Sequence, residues 1–198
     1  VESLKKQIES KSEHLERNKL DAMLMIAFID HVKFIRRLIQ DFGNFEETIK
    51  GMGHGKSNAL LSLLEKNAAA ILKGSYRIDE SGEKLFRDDE FEVFLGDASS
   101  GQKEAIRIIQ DVVLAVVADL KVFRVIEEPE AHLFPIAQKE LIELLVLLAN
   151  AKPENQVIIT THSPYVLTTL NSLLFAHRVV AKNPATEAEV AEVAFADI

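Results

Sequence analysis

The chain reads as an α/β protein, and three observations predict it. Beyond residue 100, segments suited to helix and segments suited to strand alternate one for one, which implies a parallel sheet with helices against it. Residues 1–73 carry apolar positions at helical spacing only. Between these parts lie three short extended runs, and Asp79-Glu80-Ser81-Gly82 separates the first two with good turn chemistry. That middle stretch reads as a small antiparallel meander.

Residues 1–42 read as helix throughout. Val1, Leu4, Ile8 and Leu15 keep a seven-residue beat that Lys11 interrupts, so the start suits a short coiled-coil-like arm or one member of a helix bundle. From Leu20 the pattern thickens: Leu24, Phe28, Phe34, Ile35, Leu38 and Phe42 suit a core-facing helix, with Gly43 as its C-terminal cap. Residues 45–57 read as a loop containing Gly51, Gly53 and Gly55. A helix over 58–73 follows, with Leu60, Leu61, Leu64, Ala68, Ile71 and Leu72 on one side and Gly74 ending it. The extended runs are 75–78, 84–87 and 91–95. Then come helix 101–120, strand 122–127, helix 135–150, strand 156–160, helix 164–174 and strand 177–181. Two parts are expected, a helical arm or subdomain over 1–73 and an α/β lobe over 74–198.

Composition narrows the function classes. A formal net charge of −8 argues against this chain alone being a DNA clamp, because phosphate binding needs clustered Lys and Arg. The absence of cysteine removes disulfides, thiolate metal sites and Cys nucleophiles, and fits a cytoplasmic location. No signal peptide or membrane-spanning run is evident. The chain begins with Val and reads as a piece of something longer.

The chemistry concentrates in three places. Strand 122–127 runs into two successive carboxylates, Glu127 and Glu128, and then Pro129. Successive positions at a strand end point in different directions, so Glu127 could hold a Mg²⁺ shell while Glu128 orients and deprotonates a water. A solvated turn is the plain alternative. Ala98-Ser99-Ser100-Gly101-Gln102 precedes a long apolar helix; small residues, a hydroxyl and a helix N-terminus suit an anion, and equally suit an ordinary N-cap. Thr160-Thr161-His162-Ser163-Pro164 closes the next strand, where an imidazole can contact a terminal phosphate or serve structurally. Parallel sheets bind ligands at the carboxyl ends of their strands, which is where both acids and His162 fall. His132 suits an interface or packing role, and His14, His31, His54 and His177 have no partner in sequence.

Taken in order, the loop with Gln, the strand with Glu-Glu-Pro and the strand with Thr-His-Ser-Pro resemble the C-terminal half of an ABC-type ATPase head, a P-loop NTPase fold. The resemblance is nearest to the overcoming-lysogenisation-defect (OLD) nucleases and related ATP-binding proteins of prokaryotic defence, and covers residues 72–174. It implies ATP and Mg²⁺ as cofactors. It implies that Ser99, Ser100, Gly101 and Gln102 are a signature reaching another subunit's ATP. Glu127 would take the Mg²⁺-side position, where transporters have Asp. Glu128 would be the catalytic base, His162 the switch histidine, and Ala131-His132-Leu133 the loop touching the partner subunit. Partners implied are a second head, as a homodimer, and a nuclease or other DNA-processing activity.

One part of that pattern is missing. Gly51-Met52-Gly53-His54-Gly55-Lys56-Ser57 ends like a phosphate loop, but Lys50 stands where its first Gly belongs and no buried strand precedes it. It reads better as a glycine-rich linker, leaving the chain without the lobe that grips ATP. Two other functions stay open. One is a degenerate, non-catalytic ATPase-like module that recruits a nuclease or another partner. The other is a metal-dependent nuclease site built from Glu127, Glu128, Glu130, His132 and His162.

Overall fold

The computed structural model describes residues 19–87 and 91–184, so the beat of Val1 to Leu15 lies outside the described residues. Helix α1 (Lys19–Phe42) enters the core through Ile29, Ile35 and Ile39. The expected stripe is corrected here: Leu24, Phe28, Phe34 and Phe42 are exposed, Ile35 is buried and Leu38 packs on the core's margin. The helix carries two apolar stripes, and polar partners decide between them. His31 Nε2 lies 2.7 Å from Asp111, and Arg36 Nη2 lies 3.5 Å from Glu83, which fixes the isoleucine side inward.

Helix α2 (Phe45–Met52) occupies most of the segment expected to be loop. Asn44 caps it by accepting from the Glu47 N–H at 2.8 Å, acids in its first turn complement the helix dipole, and Phe45, Thr48 and Ile49 are buried. Its glycine content reflects close packing. A Cβ on Gly51 would stand 2.3 Å from the Phe42 ring. Helix α3 (Asn58–Leu72) starts at the cap Ser57 and buries Leu64, Ala68, Ile71 and Leu72, as expected. Lys73 takes the left-handed position at its end, and Gly74 (φ 159°) passes so near the Phe86 carbonyl that a Cβ would meet it at 2.2 Å.

Strands β1 (Ser75–Asp79), β2 (Gly82–Arg87) and β3 (Phe91–Phe94) form the antiparallel meander in that order. The Asp79 carboxylate holds the first turn by accepting from the Ser81 and Gly82 N–H groups at 2.8 and 3.2 Å. A 3₁₀ turn, Leu95–Asp97, leads into α4 (Ser100–Val117). Strand β4 (Phe123–Glu127), α5 (Pro135–Ala151) and β5 (Gln156–Thr160) then build a parallel pair, in register from Phe123↔Gln156 to Glu127↔Thr160. The fold class is α/β, with the parallel pair and the meander as separate sheets.

Helix α6 (Pro164–Lys182) absorbs residues 177–181, correcting the expectation of a last strand. The Val179-Val180 pair favours a strand by its β-branching, but the helix that begins at Ser163 runs on through it. The Asn183 N–H donates to the Val179 carbonyl and closes it. One cluster of buried side chains runs from Ile35 to Val166, with α4 and α5 at its centre. Arg124 and Ile126 of β4 face α4, while Phe123, Val125 and Ile158 leave the other sheet face open. Among the described residues no helix is long and apolar enough to cross a membrane.

Candidate active site at the carboxyl end of the parallel strands

Helix α4 runs back along β4, so its N-terminus arrives at the strand's carboxyl end. Strand alternation puts Glu127 on the open face with Phe123 and Val125, and its side chain is exposed. The Glu128 N–H still donates to the Thr160 carbonyl at 2.9 Å, continuing the parallel ladder by one residue. Glu128 itself is left-handed (φ 45°), a conformation costing a non-glycine residue about 1–3 kcal/mol. Pairing with Thr160 on one side and the Ala131 N–H to Glu128 carbonyl bond (2.9 Å) on the other hold it there. The result turns the Glu128 carboxylate toward the β5 loop. One oxygen lies 3.4 Å from His162 Nε2, and the other accepts from the His162 N–H at 3.4 Å. The histidine side chain is 95% exposed, open to a ligand from solvent.

Glu130 turns the other way. It is only 4% exposed, and Thr161 Oγ1 donates to its Oε1. Its Oε2 is buried and meets no hydrogen-bond partner among the described residues. Thr161 Oγ1 in turn accepts from the Ser163 N–H at 3.0 Å, Ser163 Oγ donates to Gln138 Oε1 at 2.6 Å, and Gln138 Nε2 donates to the Leu133 carbonyl at 2.9 Å. Every donor and acceptor in this chain has one consistent direction.

The 98–102 segment joins the same rim through the turn after the acids. Gly101 is buried beneath that turn: a Cβ on it would stand 2.4 Å from the His132 carbonyl oxygen. His132 is left-handed (φ 61°), and its Nδ1 lies 3.2 Å from Glu104 on the first turns of α4. Ser99 is the N-cap of α4 and forms a complete capping box with Gln102: the Gln102 N–H donates to Ser99 Oγ at 3.3 Å and the Ser99 N–H to Gln102 Oε1 at 3.1 Å. Gln102 Nε2 donates to the Leu72 carbonyl at 2.6 Å, which fastens the cap to α3. Ser99 and Ser100 are exposed at this helix mouth.

The glycine-rich segment is elsewhere. Ser57 caps α3, and Lys56 Nζ lies 2.7 Å from Asp119, in the turn leading into β4. Glu127 ends that strand, so its length, about 13 Å, separates the two. Lys152 reaches the same Asp119 carboxylate at 2.6 Å, and the two lysines hold its pKa down to about 2.

Among the described residues no three His, Asp or Glu side chains are grouped closely enough to hold a metal by themselves. Glu127, Glu128, Glu130, His132 and His162 accordingly form no such cluster. Mg²⁺ keeps several waters and takes one or two carboxylates plus substrate phosphates; Glu127 can supply a carboxylate. The structure thus brings Glu128 and His162 into contact at the strand ends, with Glu127 exposed at the end of β4, and ties the 98–102 segment to the turn after the acids through Gly101 under the His132 carbonyl. Sequence reasoning gave no positioning role to Glu130, Gln138 or the Thr161 hydroxyl. A third carboxylate in the acid turn was the available signal, but its burial against Thr161 of the next loop depends on the tertiary arrangement. No curated protein matches the chain. The family described as AAA ATPase domain matches residues 1–167.

Proposed function

The chain belongs to the AAA ATPase domain family, and from that premise we propose that it is the signature, acid and switch portion of an ABC-type, OLD-like ATPase head. Glu128 is the general base for the attacking water, His162 contacts the terminal phosphate, and Glu127 is the carboxylate on the Mg²⁺ side. Bound Mg²⁺ supplies charge neutralisation at the phosphates. Ser99, Ser100, Gly101 and Gln102 present the mouth of α4 to ATP held by a second copy, so two heads close around the nucleotide. The coupled work is DNA-related, through a nuclease or another processing partner.

The observation that carries this reading is the contact of both Glu128 oxygens with His162, beside an exposed Glu127. The bare sheet face of Phe123, Val125 and Ile158 supports a further element that completes the sheet and grips ATP, since parallel sheets are covered on both faces. The degenerate-module reading keeps the same rim without turnover.

Sedimentation of the full-length protein distinguishes them. Glu128→Gln with Mg·ATP should accumulate a stable dimer at unchanged ATP affinity, while wild type cycles between dimer and monomer. A variant that remains monomeric with ATP bound contradicts the shared-site arrangement.

A further inference from the structure

We propose that Glu130, Thr161 and Gln138 are positioning residues for His162, forming a polar latch that holds the histidine's loop against the acid turn. This rests on the ATPase reading above and extends it to residues beneath the rim.

Among the described residues His162 makes no anchoring contact of its own beyond Glu128, and its side chain is almost wholly exposed. Its placement is therefore inherited from the residues on either side. On the N-terminal side, the Thr161 hydroxyl donates down to Glu130 and accepts from the Ser163 N–H, so one hydroxyl closes the backbone around His162 into a tight turn. On the C-terminal side, Ser163 Oγ accepts from the Tyr165 N–H, which caps α6, and donates to Gln138 of α5. Gln138 passes the connection to the Leu133 carbonyl. The Leu133 N–H donates to the Glu130 carbonyl at 3.0 Å, which closes the circuit.

A carboxylate this deeply buried, with one oxygen unpartnered, is costly unless its geometry is used. An apolar side chain would fill the site at lower cost. The bond from the Thr161 hydroxyl gives the buried carboxyl group a use, fixing the loop. The circuit also binds the loop to the 131–133 turn that lies over Gly101.

The test uses the full-length protein with Thr161→Val, which keeps the β-branched shape and deletes the hydroxyl, and Thr161→Ser, which restores it. Two quantities are read: steady-state hydrolysis of Mg·ATP, and amide hydrogen exchange of the peptide spanning 160–165. The latch predicts that Thr161→Val lowers kcat about tenfold or more, changes KM for ATP by less than about twofold, and speeds exchange in that peptide. Thr161→Ser should return both readouts toward wild type. Glu130→Gln, which keeps an acceptor for the hydroxyl, should fall between. Exchange and kcat unchanged in Thr161→Val would overturn the latch, and so would faster exchange with unaltered kcat. If wild type itself shows no ATP turnover, the ATPase reading fails, and the exchange measurement still decides whether the hydroxyl holds the loop.

Discussion

At the scale of single residues, the rim depends on two kinds of constraint, left-handed carboxylate and histidine backbones and a glycine with no room to grow. Gly101 lies under the His132 carbonyl, so Gly101→Ala must push the turn away from α4. Overpacking of this kind costs about 1–3 kcal/mol. Gly96→Ala is the control, because a Cβ there meets nothing within 4 Å. Urea unfolding should show a clearly lower midpoint for Gly101→Ala and a much smaller change for Gly96→Ala; equal midpoints would remove the packing role assigned to Gly101. Much of this scale was legible in advance. The serine pair at the start of α4 announces an N-cap at Ser99 or Ser100, of which the structure takes Ser99 with Gln102, and strand ends announce the end of the sheet at which Glu128 and His162 lie. The cap and the phosphate signature use the same residues, so spacing alone does not separate them. Glu130's inward placement was not legible, because nothing in Glu-Glu-Pro-Glu reveals that the third acid is buried against Thr161, 31 positions away.

At the scale of elements, pattern reading succeeded where one face of a helix is apolar and failed where two are. The stripe of α3 is unambiguous, whereas α1 offers two, chosen between by His31 with Asp111 and Arg36 with Glu83, partners 80 and 47 positions away. Glycine was overread as loop in α2, and β-branching as strand in α6. Helix α5 carries a quieter surprise. Glu140 and Glu143 are buried among Leu141, Ile142, Leu144 and Leu145, facing Asn67 of α3. Burial, reinforced by the Glu140 charge, pushes Glu143 up to about 7, against the opposing pull of Lys139, Lys66 and Asn67. An unfolded glutamate releases its proton near 4.5, while the folded one keeps it until about 7. Between those values the folded state binds the extra proton, so stability falls as pH rises through the window and levels off above it. Glu143→Gln removes that term. The Tm of the variant should gain on wild type steadily from about pH 5 to about pH 7, then hold a constant lead. A difference independent of pH would show that Glu143 ionises normally.

At the scale of the whole molecule, two features matter together: Glu128 and His162 meeting at the ends of neighbouring strands, and a parallel pair of strands with an exposed apolar face. That meeting follows from topology, since each strand delivers its last residues to the same end and α4 returns its first turn there. That much could be read from the order of the motifs. The bare face could not, because the alternation of Phe123, Val125 and Glu127 looks like any half-buried strand until its surroundings are known. Lys56 shows the reverse case, a sequence ending resembling a phosphate loop whose lysine is committed to Asp119 at the far end of β4. The proposal that the Glu128–His162 pair is a hydrolytic centre is decided by steady-state turnover of Mg·ATP by the full-length protein, wild type against Glu128→Gln. Wild type should turn over ATP measurably and the variant should lose about 10²–10⁴-fold; turnover that survives the substitution rules out Glu128 as the base.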